Sequence, residues 1–413
     1  MHKGAIPGQN RLILDKNLRK STASFEDAER CDSLVNGLKW IFAAARIRSM
    51  SHYFRANIES MDGYVPGEQP ADEKLVKLNT NENPYPPSPA VLAALREATN
   101  QSLRLYPEPL SDRLRNIAAQ VYGVGPENIL AGNGSDEILS IVLRCFVGRG
   151  DRVAFPVPTY SLYETLVKIQ DGEQVCLDYP ADFSIPPELY SANAAVTFLS
   201  NPNSPSGTLV RRTEIEKLAR AVAGVLVVDE AYIDFAGDPG ASAIPLVKRI
   251  PNLIVLRTFS KSFSLAGLRI GLAFAPAELI AGMMKVKDSY NVNRLSLVAA
   301  TAALQDLPWM ERNVRRIQQT RRQLVDGLVK LGFFVYPSHA NFVMAQRKRQ
   351  EQKALYQALR ERKIYVRYFD TPELRDSLRI TVGTPEDVER LVQEIAVIRS
   401  ASAYLSQSGG GKS

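Results

Sequence analysis

The chain of 413 residues contains three cysteines, three histidines and two tryptophans. Cys31, Cys145 and Cys176 form no Cys-x-x-Cys pair and no zinc spacing, so free thiols in a reducing compartment, the cytoplasm, are expected. His2, His52 and His339 are too scattered for a histidine-rich metal site or a histidine-driven triad, and no metal is expected. No apolar run approaches the roughly eighteen residues a membrane helix needs, so no membrane partner is expected. Charge of one sign is also scarce. Of the net +7, residues 1–49 carry +4, which leaves the body nearly balanced. A nucleic-acid partner needs a clustered basic face with reading elements, and the densest cluster, Arg312 to Arg322, reads as the solvated side of a helix. No nucleic-acid partner is expected. With 45% hydrophobic and 23% charged residues, the chain is globular in composition.

Residues 1–60 read as a basic, partly helical N-terminal extension. Mixed charge and the missing apolar core argue against a signal peptide, and Glu26, Asp27, Glu29 and Asp32 against a transit peptide. Phe25, Ala28, Leu34, Val35, Leu38, Ile41, Phe42 and Ala45 share one helical face, with Ser24 as cap. This stripe reads as a docking helix or as a mobile stretch upstream of a start at Met50. Residues 61–99 form an arm rich in Pro, Gly and Asn with part of a small domain, and a helix opens at Ser88-Pro89. Residues 100–310 form a large domain. In it short apolar strands (129–131, 152–155, 195–199, 225–228, 253–256) alternate with helices (110–122, 135–147, 160–170, 212–222, 276–288, 294–305). Residues 311–405 form a smaller α+β domain, with helices at 309–331 and 351–362 and a last helix from Thr384-Pro385 to about 399. The fold class is α/β: a mostly parallel central sheet, buried on both faces and flanked by helices. Residues 406–413 read as a flexible tail. Its Gly-Lys-Ser end lacks the upstream glycine and the following helix of a phosphate-binding loop.

Three segments carry chemistry. Val225 to Tyr232 delivers Asp229 at the end of a buried strand, where ligands bind in open α/β sheets. Leu256 to Gly271 places Ser260-Lys261 at another strand end, with Arg269 eight residues on. Ala131 to Glu137 is a glycine-rich turn opening a helix, and its free N–H groups at Ser135 and Asp136 suit a phosphate. Singly, each has a structural explanation: a helix cap, a solvated lysine, a tight turn. Together they meet the needs of pyridoxal phosphate, which takes a lysine amine, an acid for its ring nitrogen, and cations with N–H groups for its phosphate. Tyr160 is placed to stack on the ring, and Asn203 or Ser204 to reach its phenolic oxygen.

Over residues 61–400 the sequence resembles the fold-type I, class I/II pyridoxal-phosphate aminotransferases, and within them the histidinol-phosphate aminotransferase family. The resemblance rests on Leu78-Asn-Thr-Asn-Glu-Asn-Pro84, Tyr106-Pro-Glu-Pro109, Tyr122 to Leu130, Gly132-Asn-Gly-Ser-Asp-Glu137, Asn201-Pro-Asn-Ser-Pro-Ser-Gly207, Asp229-Glu-Ala-Tyr232, Ser260 to Arg269 and Leu378 to Thr384. It implies that Lys261 carries the cofactor and then serves as general base. Asp229 is the implied partner of the ring nitrogen and Tyr232 the donor to the phenolic oxygen. Ser135, Asp136, Ser260 and Arg269 hold the phosphate. Tyr106 is implied to reach the neighbouring subunit's cofactor, making a homodimer with shared sites. Tyr64 closes over substrate, and Arg379, with Arg367 beside it, grips the substrate's anionic end. Many relatives have Asn where this chain has Ser204, so Asn203 is expected as the ring contact. The implied reaction passes the amino group of histidinol phosphate to 2-oxoglutarate, a step of histidine biosynthesis. Aromatic amino-acid aminotransferase, and further off threonine-phosphate decarboxylase, are the alternatives on the same scaffold.

Overall fold

The computed structural model describes residues 53–70 and 75–408, without side chains beyond 400. The helical stripe expected over 25–45, the start at Met50, and residues 409–413 of the expected tail lie outside the described residues. After a short helix, Ala56–Ser60, the first strand is the two-residue β1 (Val76–Lys77). Seven strands follow in one sheet: β2 (Ile129–Gly132), β3 (Arg152–Val157), β4 (Glu173–Asp178), β5 (Val196–Ser200), β6 (Val225–Asp229), β7 (Leu253–Thr258) and β8 (Gly271–Phe274). Their spatial order is β2-β8-β7-β6-β5-β3-β4, with β8 antiparallel to both neighbours and the others running one way. Because β8 is reversed, its first residues lie at the edge where the parallel strands end.

Both faces of this sheet are covered. In β6, Leu226 and Val228 enter one core cluster, while Val225 and Val227 enter the other. β7 divides its residues in the same way, Leu253 and Val255 against Ile254 and Leu256. A period of two with both faces apolar is the signature of a doubly covered sheet, and each large side chain so buried contributes about 2 kcal/mol.

Two strands missing from the expected set are β4 and β8. β4 is an edge strand whose Glu173 and Gln174 mix exposed and half-buried positions, so it has no clean alternation. β8 is four residues long and takes its direction from β2 and β7, which sequence periodicity does not encode.

The smaller layer holds β9 (Phe334–Val335), β10 (Phe342–Gln346), β11 (Ile364–Tyr365), β12 (Arg367–Tyr368) and β13 (Ser377–Thr381). β12-β13-β10-β9 form an antiparallel sheet, and β1 pairs in parallel with β11. The expected grouping of residues 61–99 with the small domain divides here. Leu78 and Tyr85 enter the small layer's core, whereas Val91, on the helix Pro89–Ala98, enters the large one. That helix begins as its sequence dictates, with Ser88 Oγ accepting from the Ala90 N–H at 3.0 Å and Pro89 in its first turn. The last helix, Pro385–Ser408, starts from a reciprocal Thr384–Asp387 cap and runs past the expected end near 399 through the first residues of the expected tail. By its contacts the chain separates into Met1–Glu59 and Ser60–Ser413; everything below concerns the second unit.

Candidate active site

A cavity of about 400 Å³ opens where the large sheet's strands end. Its floor is Asp229, the last residue of β6, a buried residue only 4% exposed. Asp229 Oδ2 accepts from the Tyr163 hydroxyl at 3.0 Å and Oδ1 from the Ala231 N–H at 3.1 Å. Burial pushes this carboxyl up to about 6, against the pull of those two donors.

One wall is the phosphate-type cradle. Gly134 has φ +83° and precedes the helix Ser135–Phe146. The backbone angle favours glycine here, and a Cβ would stand 2.8 Å from the Arg269 guanidinium, which would have to shift. Arg269 itself has φ +49° just before β8. It donates to Asp136 at 3.0 Å and to Ser260 Oγ at 3.3 Å. Cation, hydroxyl and helix N-terminus thus converge on one spot. Lys261 lies three residues beyond β7, with Nζ 3.3 Å from the Thr80 carbonyl and 5.7 Å from the centre of the Tyr232 ring.

The facing wall is aromatic. Tyr160 lines the cavity and donates to Asp136 at 3.3 Å, standing edge-on to Tyr64 and Tyr163. Burial, with Asp136 next, holds its phenol well above the usual tyrosine range. At the far end Arg379 of β13 donates to Ser204 Oγ at 3.1 Å and to the Asn79 carbonyl at 2.8 Å. Its guanidinium lies over Phe342 and Phe369. Its buried Nε has no partner among the described residues, and burial lowers its pKa. Arg367 of β12 sits directly across the ladder from Arg379 and also lines the cavity.

Residues 73–395 match the family model for aminotransferase class I and II. The chain belongs to this family. Histidinol-phosphate aminotransferase 1 of Trichormus variabilis is 46% identical over 348 residues, 84% of this chain and 99% of that protein. The histidinol-phosphate aminotransferase of Geotalea daltonii is 43% identical over 347 residues, 83% of this chain and 99% of that one. The crystal structure of histidinol-phosphate aminotransferase from Sinorhizobium meliloti in complex with pyridoxal-5'-phosphate aligns with a TM-score of 0.79 at 26% identity, over 86% of this chain and 99% of that one. This aminotransferase is a pyridoxal-phosphate-dependent transaminase acting on small amino and oxo substrates.

The cavity of the aminotransferase fits that cofactor. A lysine amine, a buried carboxyl with room on its cavity side, and a glycine-opened anion cradle share one space. Of the residues expected from sequence, Tyr64, Ser135, Asp136, Tyr160, Asp229, Tyr232, Ser260, Lys261, Arg269, Arg367 and Arg379 line it. Two do not. Asn203 is buried, its amide occupied by Thr159, Pro158 and Ser206. The cavity position expected for it belongs to Ser204. Tyr106 is 76% exposed and stacks on Tyr290 at 4.4 Å, away from the cavity. Sequence reasoning missed Tyr163, whose Pro-Thr-Tyr-Ser-Leu-Tyr context gave only core periodicity. It also missed Asn81, whose one signal was an asparagine-rich loop. Among the described residues no helix is long and apolar enough to cross a membrane.

Proposed function

We propose that this aminotransferase takes histidinol phosphate as amino donor and 2-oxoglutarate as acceptor, yielding imidazole-acetol phosphate and glutamate in histidine biosynthesis. The observation that carries the reading is the Arg367–Arg379 pair. Like charges directly opposite on an antiparallel ladder repel, and an anion between them turns that repulsion into attraction. A phosphate dianion matches two guanidiniums better than a single carboxylate does. The relatives at 43–46% identity carry this activity in their names.

When bound, pyridoxal phosphate supplies an electron sink that makes the donor's Cα–H acidic. The chain's own groups do the rest. Ser135, Asp136, Ser260 and Arg269 fix the phosphate end. Asp229 stays ionised against a ring cation, since an adjacent positive charge offsets the cost of its burial. Tyr160 would cover the ring face, and Tyr232 would offer its hydroxyl to the phenolic oxygen. Lys261 Nζ would take the Cα proton and deliver it to the cofactor's C4′ carbon, and Arg379 with Arg367 would set the donor's orientation.

The working unit in this reading is a homodimer. Leu103, Leu105, Tyr106, Leu110 and Tyr290 are exposed apolar side chains around one segment, a surface suited to a second copy with Tyr106 offered to its cofactor. The substrate reading is tested by comparing donors at fixed 2-oxoglutarate. Histidinol phosphate is expected to have the highest specificity constant. A higher value for phenylalanine or tyrosine assigns the enzyme to the aromatic aminotransferases, and release of carbon dioxide from threonine phosphate to the decarboxylases.

A further inference from the structure

Asn81 has a backbone φ of +56° and a side chain 1% exposed, an uncommon combination for a residue other than glycine. Its surroundings explain why the position is held. The Asn81 N–H donates to Thr381 Oγ1 at 3.0 Å, and Thr381 Oγ1 donates back to Asn81 Oδ1 at 3.0 Å. The Asn81 carbonyl accepts from Asn341 Nδ2 at 3.0 Å. The one remaining group, Nδ2, donates to the Tyr232 hydroxyl at 3.0 Å. The Thr381 hydroxyl accepts from the backbone N–H and gives its single proton to Oδ1, which leaves Nδ2 facing Tyr232.

A phenol has one proton and can both donate and accept. With Asn81 supplying a donor, the Tyr232 oxygen accepts on that side and its proton points elsewhere. Among the described residues that proton has no acceptor, and Tyr232 lines the cavity. We infer that Asn81, a residue of the arm anchored to Thr381 of β13, is a positioning residue that aims the Tyr232 proton at the cofactor's phenolic oxygen. Thr381 and Arg379 stand two apart on β13, on the same face of the strand. The strand that holds the donor's anion therefore also holds, through Thr381 and Asn81, the group that polarises the ring. The inference rests on pyridoxal phosphate occupying the cavity and does not depend on which donor is used.

The test uses the holoenzyme and reads the pH midpoint of the bound cofactor's visible absorption, together with the cofactor dissociation constant of the apoenzyme. A donor to the phenolic oxygen favours its ionised form, so losing the aimed proton raises the midpoint. Asn81→Gly keeps the backbone angle and removes the amide. It is expected to raise the midpoint by roughly half a unit or more and to weaken cofactor binding severalfold. Thr381→Val leaves the amide but frees its orientation, and should shift the midpoint in the same direction by less. In a Tyr232→Phe background both substitutions should fall silent. Shifts that persist undiminished without the Tyr232 hydroxyl, or an unchanged midpoint in both variants when the hydroxyl is present, overturn the inference. If Asn81→Gly fails to fold, Thr381→Val alone and combined with Tyr232→Phe decides it. Neither readout uses an amino donor, so a wrong substrate assignment leaves this test intact.

Discussion

At the large-sheet end of the cavity, every polar side chain stands at or close to a strand terminus. Asp229 ends β6, Lys261 lies three residues beyond β7, Ser135 three beyond β2, and Arg269 two before β8. At the opposite end the contributors come from far apart. Tyr64 and Asn81 belong to the arm, Ser204 to a loop after β5, and Arg367 and Arg379 to the small antiparallel sheet. The first end is a consequence of sheet topology, because parallel strands deliver their C-terminal residues to one edge. The second is assembled from the arm and the small layer where they line the same cavity as the first. The parallel sheet can hold a cofactor while the assembled end reads the donor, so the two tasks can be perturbed separately.

Lys261→Ala strikes the cofactor end hardest. It removes the amine proposed to carry the cofactor and move the proton, and turnover should fall by at least about a thousandfold, while the cradle should still bind added pyridoxal phosphate. Reduction of the wild type with borohydride followed by peptide mapping checks the lysine directly, and label on another lysine refutes the placement. A smaller effect at the same end is expected from Tyr163→Phe. Without its phenol, Asp229 loses one of the two donors that counteract burial, so its pKa rises further above about 6. Cofactor affinity should drop about tenfold, more at pH 6 than at pH 8, where Asp229 is ionised in either protein. An affinity loss independent of pH would show that Tyr163 acts through packing alone.

The smallest effect sharpens the boundary between site and scaffold. Glu230, next to Asp229, faces away from the cavity toward Ser242, the Ala243 N–H and Arg257, which also pairs with Asp234. Burial raises Glu230 to about 7, although Arg257 opposes it. A carboxyl whose folded pKa lies above its unfolded value stabilises the fold at low pH and loses that contribution as pH rises through the folded pKa. Between about 4.5 and 7 the holoenzyme's melting temperature should therefore fall with rising pH by about two degrees more in the wild type than in Glu230→Gln. Equal slopes in the two proteins would remove Glu230 from this role.

The same contrast explains what the sequence made legible. Residues that act at strand ends announced themselves: Asp229 closes an apolar run, Lys261 follows another, and Gly134 marks the turn before a helix. Helix starts with local caps, such as Ser88-Pro89 and Thr384-Pro385, were also readable, because their partners lie within three residues. β8 was not, since its direction comes from β2 and β7. Asn203 and Ser204 were exchanged because the facing of a side chain in a proline-rich loop follows the backbone path, which has no period. Asn81 was the hardest case. Its hydrogen-bond partners Tyr232 and Thr381 lie 151 and 300 residues away in sequence. The family resemblance brought Arg367 and Arg379 forward, and their cross-strand pairing became visible only in the fold.

The separation of the two ends is tested most directly on Arg379→Ala, by measuring cofactor affinity and the specificity constants for histidinol phosphate and for unphosphorylated histidinol. Removing a buried guanidinium that grips a phosphate should lower the histidinol phosphate value by about a hundredfold. The histidinol value should change far less, and the cofactor dissociation constant should stay within about twofold. Equal losses for the two donors, or a cofactor affinity that falls with them, would contradict the assignment of the small-sheet end to the donor's phosphate.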